Sequence, residues 1–279
     1  TPTVSTTIAD ASTDEDAANS MIKKFRNILA VLPIAISSVV TANTDKLDIS
    51  VFGNFSQTTD PIQVDNKTFT FKTGSVGLRG MVKDDKYGQL FVQYGVAYSP
   101  SENASLGDAR LSGSIDVRSI GYGYIYPLDV VNTPWSVDLK LDRTTSKHTG
   151  DSFTGTYLNK PATANIEATS EFTRVGLGFN YQLDEDVVFT FGAGVHRWDI
   201  EAEAKGKYDI LGIGTLADFT ADLKKNGTSP SGTDNFYFVE SVFPLMDREV
   251  KVGFRRSGLN TDTDNTLNEI YVNLLTTLY

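Results

Sequence analysis

Val175-Gly-Leu-Gly-Phe-Asn-Tyr-Gln-Leu183, then Asp184-Glu185-Asp186, then Val187-Val-Phe-Thr-Phe-Gly-Ala-Gly-Val195 is the stretch from which the fold is read. Val175, Leu177, Phe179 and Tyr181 alternate with Gly176, Gly178 and Asn180. Phe189, Phe191, Ala193 and Val195 alternate with Thr190, Gly192, Gly194 and His196. Alternation with period two marks a strand whose two faces meet different surroundings. The brief Leu183–Asp186 connection makes the pair a hairpin.

The same pattern extends in both directions. Strands are expected over 46–57, 67–82, 88–99, 110–127, 135–147, 167–182, 187–200, 234–244, 249–257 and 268–279. In the fourth, Ile115 and Val117 oppose Asp116 and Arg118; its later part, Ile120–Tyr124, leaves the faces undecided and admits a bulge. Four connections are short: Lys83–Tyr87, Leu128–Pro134, Leu183–Asp186 and Leu245–Arg248. They alternate with five longer ones, 58–66, 100–109, 148–166, 201–233 and 258–267. Tight turns at one end and long polar loops at the other is the layout of an up-and-down barrel spanning an outer membrane. The fold expected is therefore all-β: a closed antiparallel transmembrane β-barrel of about ten strands, with short periplasmic turns and long extracellular loops.

Composition is consistent with this reading. The net charge of −10 argues against a nucleic-acid partner, which needs a basic surface. The absence of cysteine removes disulfides and thiolate metal sites. A mean hydropathy of −0.20 argues against a bundle of spanning helices but leaves barrels open, because alternating strands average out.

The N-terminus reads as processing sequence. Residues 1–20 are polar and acidic, an extension that is either disordered or non-native. Met21, Lys23, Lys24 and Arg26 precede the apolar run from Ile28 to Val40, which closes on Val40-Thr41-Ala42. Residues 21–42 are thus a signal peptide, and the barrel is expected over 43–279. Export through the periplasm to the outer membrane of a Gram-negative bacterium follows.

If lipid surrounds the strands, their polar faces line the lumen. The expected lumen network is Arg79, Asp116, Arg118, Asp138, Lys140, Asp142, Arg174, Glu240, Lys251 and Arg255. Such charges would fill the barrel with ion pairs rather than leave a wide pore. A soluble β-barrel with the opposite polarity fits the alternation locally and remains the structural alternative.

The 175–195 hairpin resembles those of small outer-membrane barrels of the OmpA/opacity type, a porin-like superfamily. The final Tyr271-Val-Asn-Leu-Leu-Thr-Thr-Leu-Tyr279 is similar to the strand read by the barrel-assembly machinery, with Tyr271, Leu275 and Tyr279 as the assembly signal. Thr277 and Asn273 depart from its usual apolar pattern. The resemblance spans roughly 46–279 and implies as partners outer-membrane lipid, lipopolysaccharide and, during biogenesis, the assembly machinery. No peptidoglycan-binding domain is expected after the last strand.

Catalytic signals are weak. His196 reads either as a general base under the outer rim, near Trp198, Asp199 and Glu201, or as part of the polar network. His148 reads as an exposed loop residue. Ten strands are also found in outer-membrane proteases of the omptin type, but Asp84-Asp85 falls in a periplasmic turn and the spacing of Asp199 and His196 differs. No cofactor, metal site or enzymatic activity is expected. Loop 201–233 is unusually apolar, and 215–225 reads either as a short amphipathic helix, a lid or contact surface, or as part of an extended hairpin. The function expected is a structural or surface-interaction scaffold with a mostly plugged polar lumen. The alternatives are a narrow channel for small solutes and, more weakly, an outer-membrane hydrolase.

Overall fold

The computed structural model describes residues 47–277 apart from 70–71, 85–86, 129–133, 247 and 262–263. The N-terminal extension, the signal peptide and Tyr279 lie outside the described residues.

Thirteen strands follow one another: β1 (Leu47–Thr58), β2 (Ile62–Val64), β3 (Lys67–Phe69), β4 (Lys72–Asp84), β5 (Gly88–Leu106), β6 (Ala109–Leu128), β7 (Trp135–Tyr157), β8 (Lys160–Asp184), β9 (Val187–Asp209), β10 (Leu216–Asp222), β11 (Ser231–Leu245), β12 (Arg248–Gly258) and β13 (Thr266–Thr277). Ten of them close a ring of antiparallel pairs, in the order β1, β4, β5, β6, β7, β8, β9, β11, β12, β13 and back to β1. Closure leaves the ring itself without an edge, each of its ten strands pairing on both sides, while β2 and β10 each pair with one neighbour.

The strands differ in length. β12 has 11 residues and β8 has 25, so the β6–β9 side of the wall rises well above the β12–β13–β1–β4 side. The expected long loops 100–109 and 148–166 are in fact these strands continuing. β5 and β6 pair up to Leu106↔Ala109, and β7 and β8 up to Tyr157↔Lys160. The β7–β8 turn is Leu158-Asn159, both at positive φ (49° and 59°), the conformation of a two-residue hairpin turn. The expected amphipathic helix at 215–225 is also corrected. Residues 216–222 form β10, which pairs back on the upper part of β9, so the hairpin reading describes this segment.

The polarity of the wall inverts with height. β8 is continuous and shows it within one strand. Val175, Leu177 and Phe179 point outward and are exposed, while Arg174, Gly176 and Gly178 point into the lumen. Higher up, the inward face becomes Ala162, Ala164, Ile166 and Ala168, all buried, and the outward face becomes Thr163, Asn165 and Glu167. The outward apolar residues recur around the ring, among them Val51, Leu90, Ile120, Phe191, Val239, Phe254 and Val272, all exposed. From Val175 to Leu183 this band covers about 27 Å of strand, or about 21 Å at a tilt near 40°.

Above the band the lumen holds an ordinary apolar core. Ile62, Phe69, Leu106, Phe153, Ile166, Trp198, Ile200 and Leu223 are among its buried members. The β2–β3 hairpin and β10 complete this upper part. β3 pairs with β5 through Phe69↔Ala104, and Lys67 reaches across to Asp222 of β10 at 3.3 Å. Register shifts at Ser99/Glu102, Ser112/Asp116 and Gly150/Phe153 fall at neighbouring positions in β5, β6 and β7. Bulges bend a sheet, and Phe153 fills the bend: a Cβ on Gly150 would sit 2.3 Å from its ring.

Candidate functional site

At the height of the apolar band, the lumen is crossed by charged side chains carried by alternate positions of β4, β7, β8, β11, β12 and β13. Arg174 donates to Asp142 at 2.9 Å and to Glu269 at 3.3 Å. Arg255 approaches the same Glu269 carboxylate at 3.6 Å. Glu240 forms the second node. It accepts from Lys140 Nζ at 2.6 Å and from the Tyr271 hydroxyl at 2.8 Å, with Lys251 at 3.7 Å. Asp138 accepts from Asn180 at 2.7 Å. Arg79 donates to Gln93 Oε1, from Nε at 3.0 Å, and its guanidinium lies 4.6 Å from the Phe91 ring centre. Among the described residues Arg79 has no carboxylate within 4.0 Å.

Glycines make room for this packing. A Cβ on Gly192 would lie 2.3 Å from the Phe238 ring, and one on Gly253 would lie 2.3 Å from the Tyr271 ring. The Phe238 ring in turn faces Lys140 Nζ at 4.5 Å. Flat rings laid over glycine backbone thus bring the cations to the centre of the barrel.

Eight of the ten expected network residues share this lumen: Arg79, Asp138, Lys140, Asp142, Arg174, Glu240, Lys251 and Arg255. Asp116 and Arg118 do not. Arg118 is exposed on the outer surface, and Ile115 and Val117 are buried inside. The alternation there was legible, but the faces are exchanged, because this part of β6 stands above the apolar band. The Ile120–Tyr124 stretch has no bulge; its glycines point inward and its large side chains outward. Glu269 is the carboxylate missing from the expected network. Its inward parity was readable on the last strand, but its role as the node between Arg174 and Arg255 depends on barrel closure. Of the expected assembly signal, Tyr271 and Leu275 are buried on the lumen face.

Between the ion network and the apolar core lies a chamber of about 170 Å³. Its wall carries Asn54, Ser56, Ser75, Ser119, Thr144 and Ser146, with Leu259, Leu267 and Phe172 toward the core. Asn54 Oδ1 is buried without a protein donor. A polar chamber of this size admits several water molecules.

The histidines are differently placed from expectation. His148 is buried on the chamber wall rather than exposed in a loop, with Nε2 3.4 Å from Ser170 Oγ. Burial holds its pKa down, to about 4. A base that weak is poorly matched to activating a serine near neutral pH. His196 Nε2 donates to the Gly258 carbonyl at 2.8 Å. Asp199 and Glu201 are on the opposite face of β9 from it, so no Asp-His couple forms. Burial beside Glu201 and Glu171 raises the Asp199 carboxyl above the usual range. Among the described residues no group of three His, Asp or Glu is arranged to hold a metal.

No family model and no curated protein sequence matches the chain. Among solved structures it is similar to the translocator domain of the autotransporter NalP from Neisseria meningitidis, at 13% identity and TM-score 0.49, over 95% of this chain and 99% of that one. It is similar to the outer membrane protease OmpT from Escherichia coli at 9% identity and TM-score 0.41, over 84% and 95%. It is similar to Ail, the attachment invasion locus protein of Yersinia pestis, at 10% identity and TM-score 0.30, over 84% and 99%. At these values the barrel rests on its own closed hydrogen-bond ring.

Proposed function

We propose that the chain is an outer-membrane β-barrel acting as a plugged scaffold, which displays the tall β6–β9 wall outside the cell. The observation that carries this reading is the double filling of its lumen: a knot of ion pairs at the level of the apolar band and a packed apolar core above it. A solute path would have to cross both. The exposed apolar band supports the membrane placement, since a soluble protein rarely leaves so large an apolar surface uncovered. The scaffold role is supported by the outer wall, a paired sheet whose solvent face carries Thr, Asn, Glu, Lys and Arg.

Single-channel recording with the full chain in planar bilayers tests the plug. The expected result is a silent membrane with protein demonstrably inserted. Discrete current steps from the unaltered chain would overturn the plug in favour of a channel. Heat-modifiable gel migration and recovery in an outer-membrane fraction test the placement independently.

A further inference from the structure

The chamber between the ion network and the apolar core has an unbalanced wall. Five cations reach it, Arg79, Lys140, Arg174, Lys251 and Arg255, against three carboxylates, Asp142, Glu240 and Glu269. Each of these carboxylates is already engaged: Asp142 by Arg174, Glu240 by Lys140 and Lys251, and Glu269 by Arg174 and Arg255. Asp138 lies off this wall and accepts from Asn180.

Arg79 is the cation left over. Its Nε and Nη2 both donate to one neutral oxygen, Gln93 Oε1, at 3.0 and 2.5 Å. A guanidinium carries more N–H groups than these, and Nη1 has no protein acceptor among the described residues. The Phe91 and Phe52 rings, at 4.6 and 5.9 Å, attract it but carry no net charge. A charge taken out of water is costly unless a counter-charge meets it.

A second donor on the same wall is also unanswered. Arg174 is 4% exposed, its two terminal nitrogens go to Asp142 and Glu269, and its Nε is buried without a protein acceptor. The hydroxyls of Ser119, Thr144 and Ser146 line the same space. Register carries one row of the wall from Arg79 to Gln93, Gly121 and Thr144.

We propose that this chamber binds a small inorganic oxyanion of the phosphate or sulfate class, held by Arg79 and the wall hydroxyls. The inference goes beyond the scaffold reading, since it concerns the lumen and not what the outer wall meets. Two surplus positive charges on the wall match a dianion. A planar pair of guanidinium N–H groups fits two oxygens of a tetrahedral anion, whereas a halide is met as a single point. The volume of about 170 Å³ admits such an ion together with water.

The test refolds the full chain in detergent with radiolabelled inorganic phosphate and counts the label that stays with the barrel through gel filtration. The wild type should retain one phosphate per barrel. Arg79→Gln should weaken retention at least tenfold while keeping heat-modifiable migration, because it removes the charge-assisted donors. Arg118→Gln, on the outer surface, should leave retention unchanged. Unlabelled sulfate should displace the label, and chloride at equal ionic strength should not. If Arg79→Gln does not fold, Thr144→Val combined with Ser146→Ala carries the test and should weaken retention at least threefold. No retained label on the folded wild type, or retention unaffected by the lumen substitution, would overturn the site. Displacement by chloride as effective as by sulfate would overturn the oxyanion class. Current steps in bilayers from a barrel that retains phosphate would overturn the plug and leave the site standing.

Discussion

Arg174 and Val175 are chain neighbours in opposite environments: Arg174 is 4% exposed at the centre of the lumen and Val175 is 43% exposed on the outer wall. A soluble protein would reverse the two. Their arrangement marks the level at which β8 passes from the apolar band to the water-facing wall.

The band makes a positional prediction. Leu177→Arg, with Leu177 pointing outward inside the band, should destabilise the barrel in lipid by about 2–4 kcal/mol. Thr163→Arg, outward on the same strand above the band, should change stability by less than about 0.5 kcal/mol. Urea unfolding in lipid vesicles compares them. Equal effects would contradict a lipid-facing band that ends near Val175.

Glu240 accepts from Lys140 and Tyr271 and lies 3.7 Å from Lys251, so its removal takes the nearest counter-charge from two lumen cations. Glu240→Ala should cost about 3–5 kcal/mol. Glu240→Ala combined with Lys140→Met should cost less than the single change, because one stranded charge is removed with it. A double-mutant cycle by equilibrium unfolding reads the coupling.

His148 predicts a pH dependence. Its folded pKa, about 4, lies below the ordinary value of 6.5. The unfolded chain therefore binds the extra proton between these values, and stability rises with pH across that window. The contribution is complete above pH 6.5 and is lost as pH falls toward 4, by about 3 kcal/mol. His148→Asn should flatten the stability profile between pH 4 and 6.5. An unchanged slope would show that another group carries it.

Leu158 adopts a left-handed backbone at the tip of the β7–β8 hairpin. Leucine is poorly suited to that conformation, and asparagine tolerates it. Leu158→Asn should stabilise the hairpin by about 1 kcal/mol without altering barrel closure, as measured by the unfolding midpoint. A destabilised variant would show that the Leu158 side chain is needed at the tip.

The periodicity of residues 175–195 was sufficient to read the strands, their faces and the lumen position of Arg174, because inward and outward side chains differ in kind there. The Leu183–Asp186 connection between them was legible for the same reason. The upper wall was not. Residues 148–166 and 201–209 are polar enough to pass for loops, yet they are strands whose inward face carries small residues such as Ala162, Ala164 and Ala202. Small side chains leave little hydrophobic contrast to read, and the pairing that makes them strands comes from neighbours far away in the chain. Phe219 and Leu223 have the spacing of a helix stripe, but pairing with β9 made that segment a strand.

By itself the sequence determined which side chains share a face, since alternation is a property of residues two apart. It could not determine which face looks inward along the whole length, because a period of two is unchanged when the faces are exchanged. Only the tertiary structure decided that. It put Ile115 and Val117 inside and Arg118 outside, and it joined Glu269 to Arg174 across the closed ring. Burial depends on what surrounds a face, and on one strand those surroundings change with height.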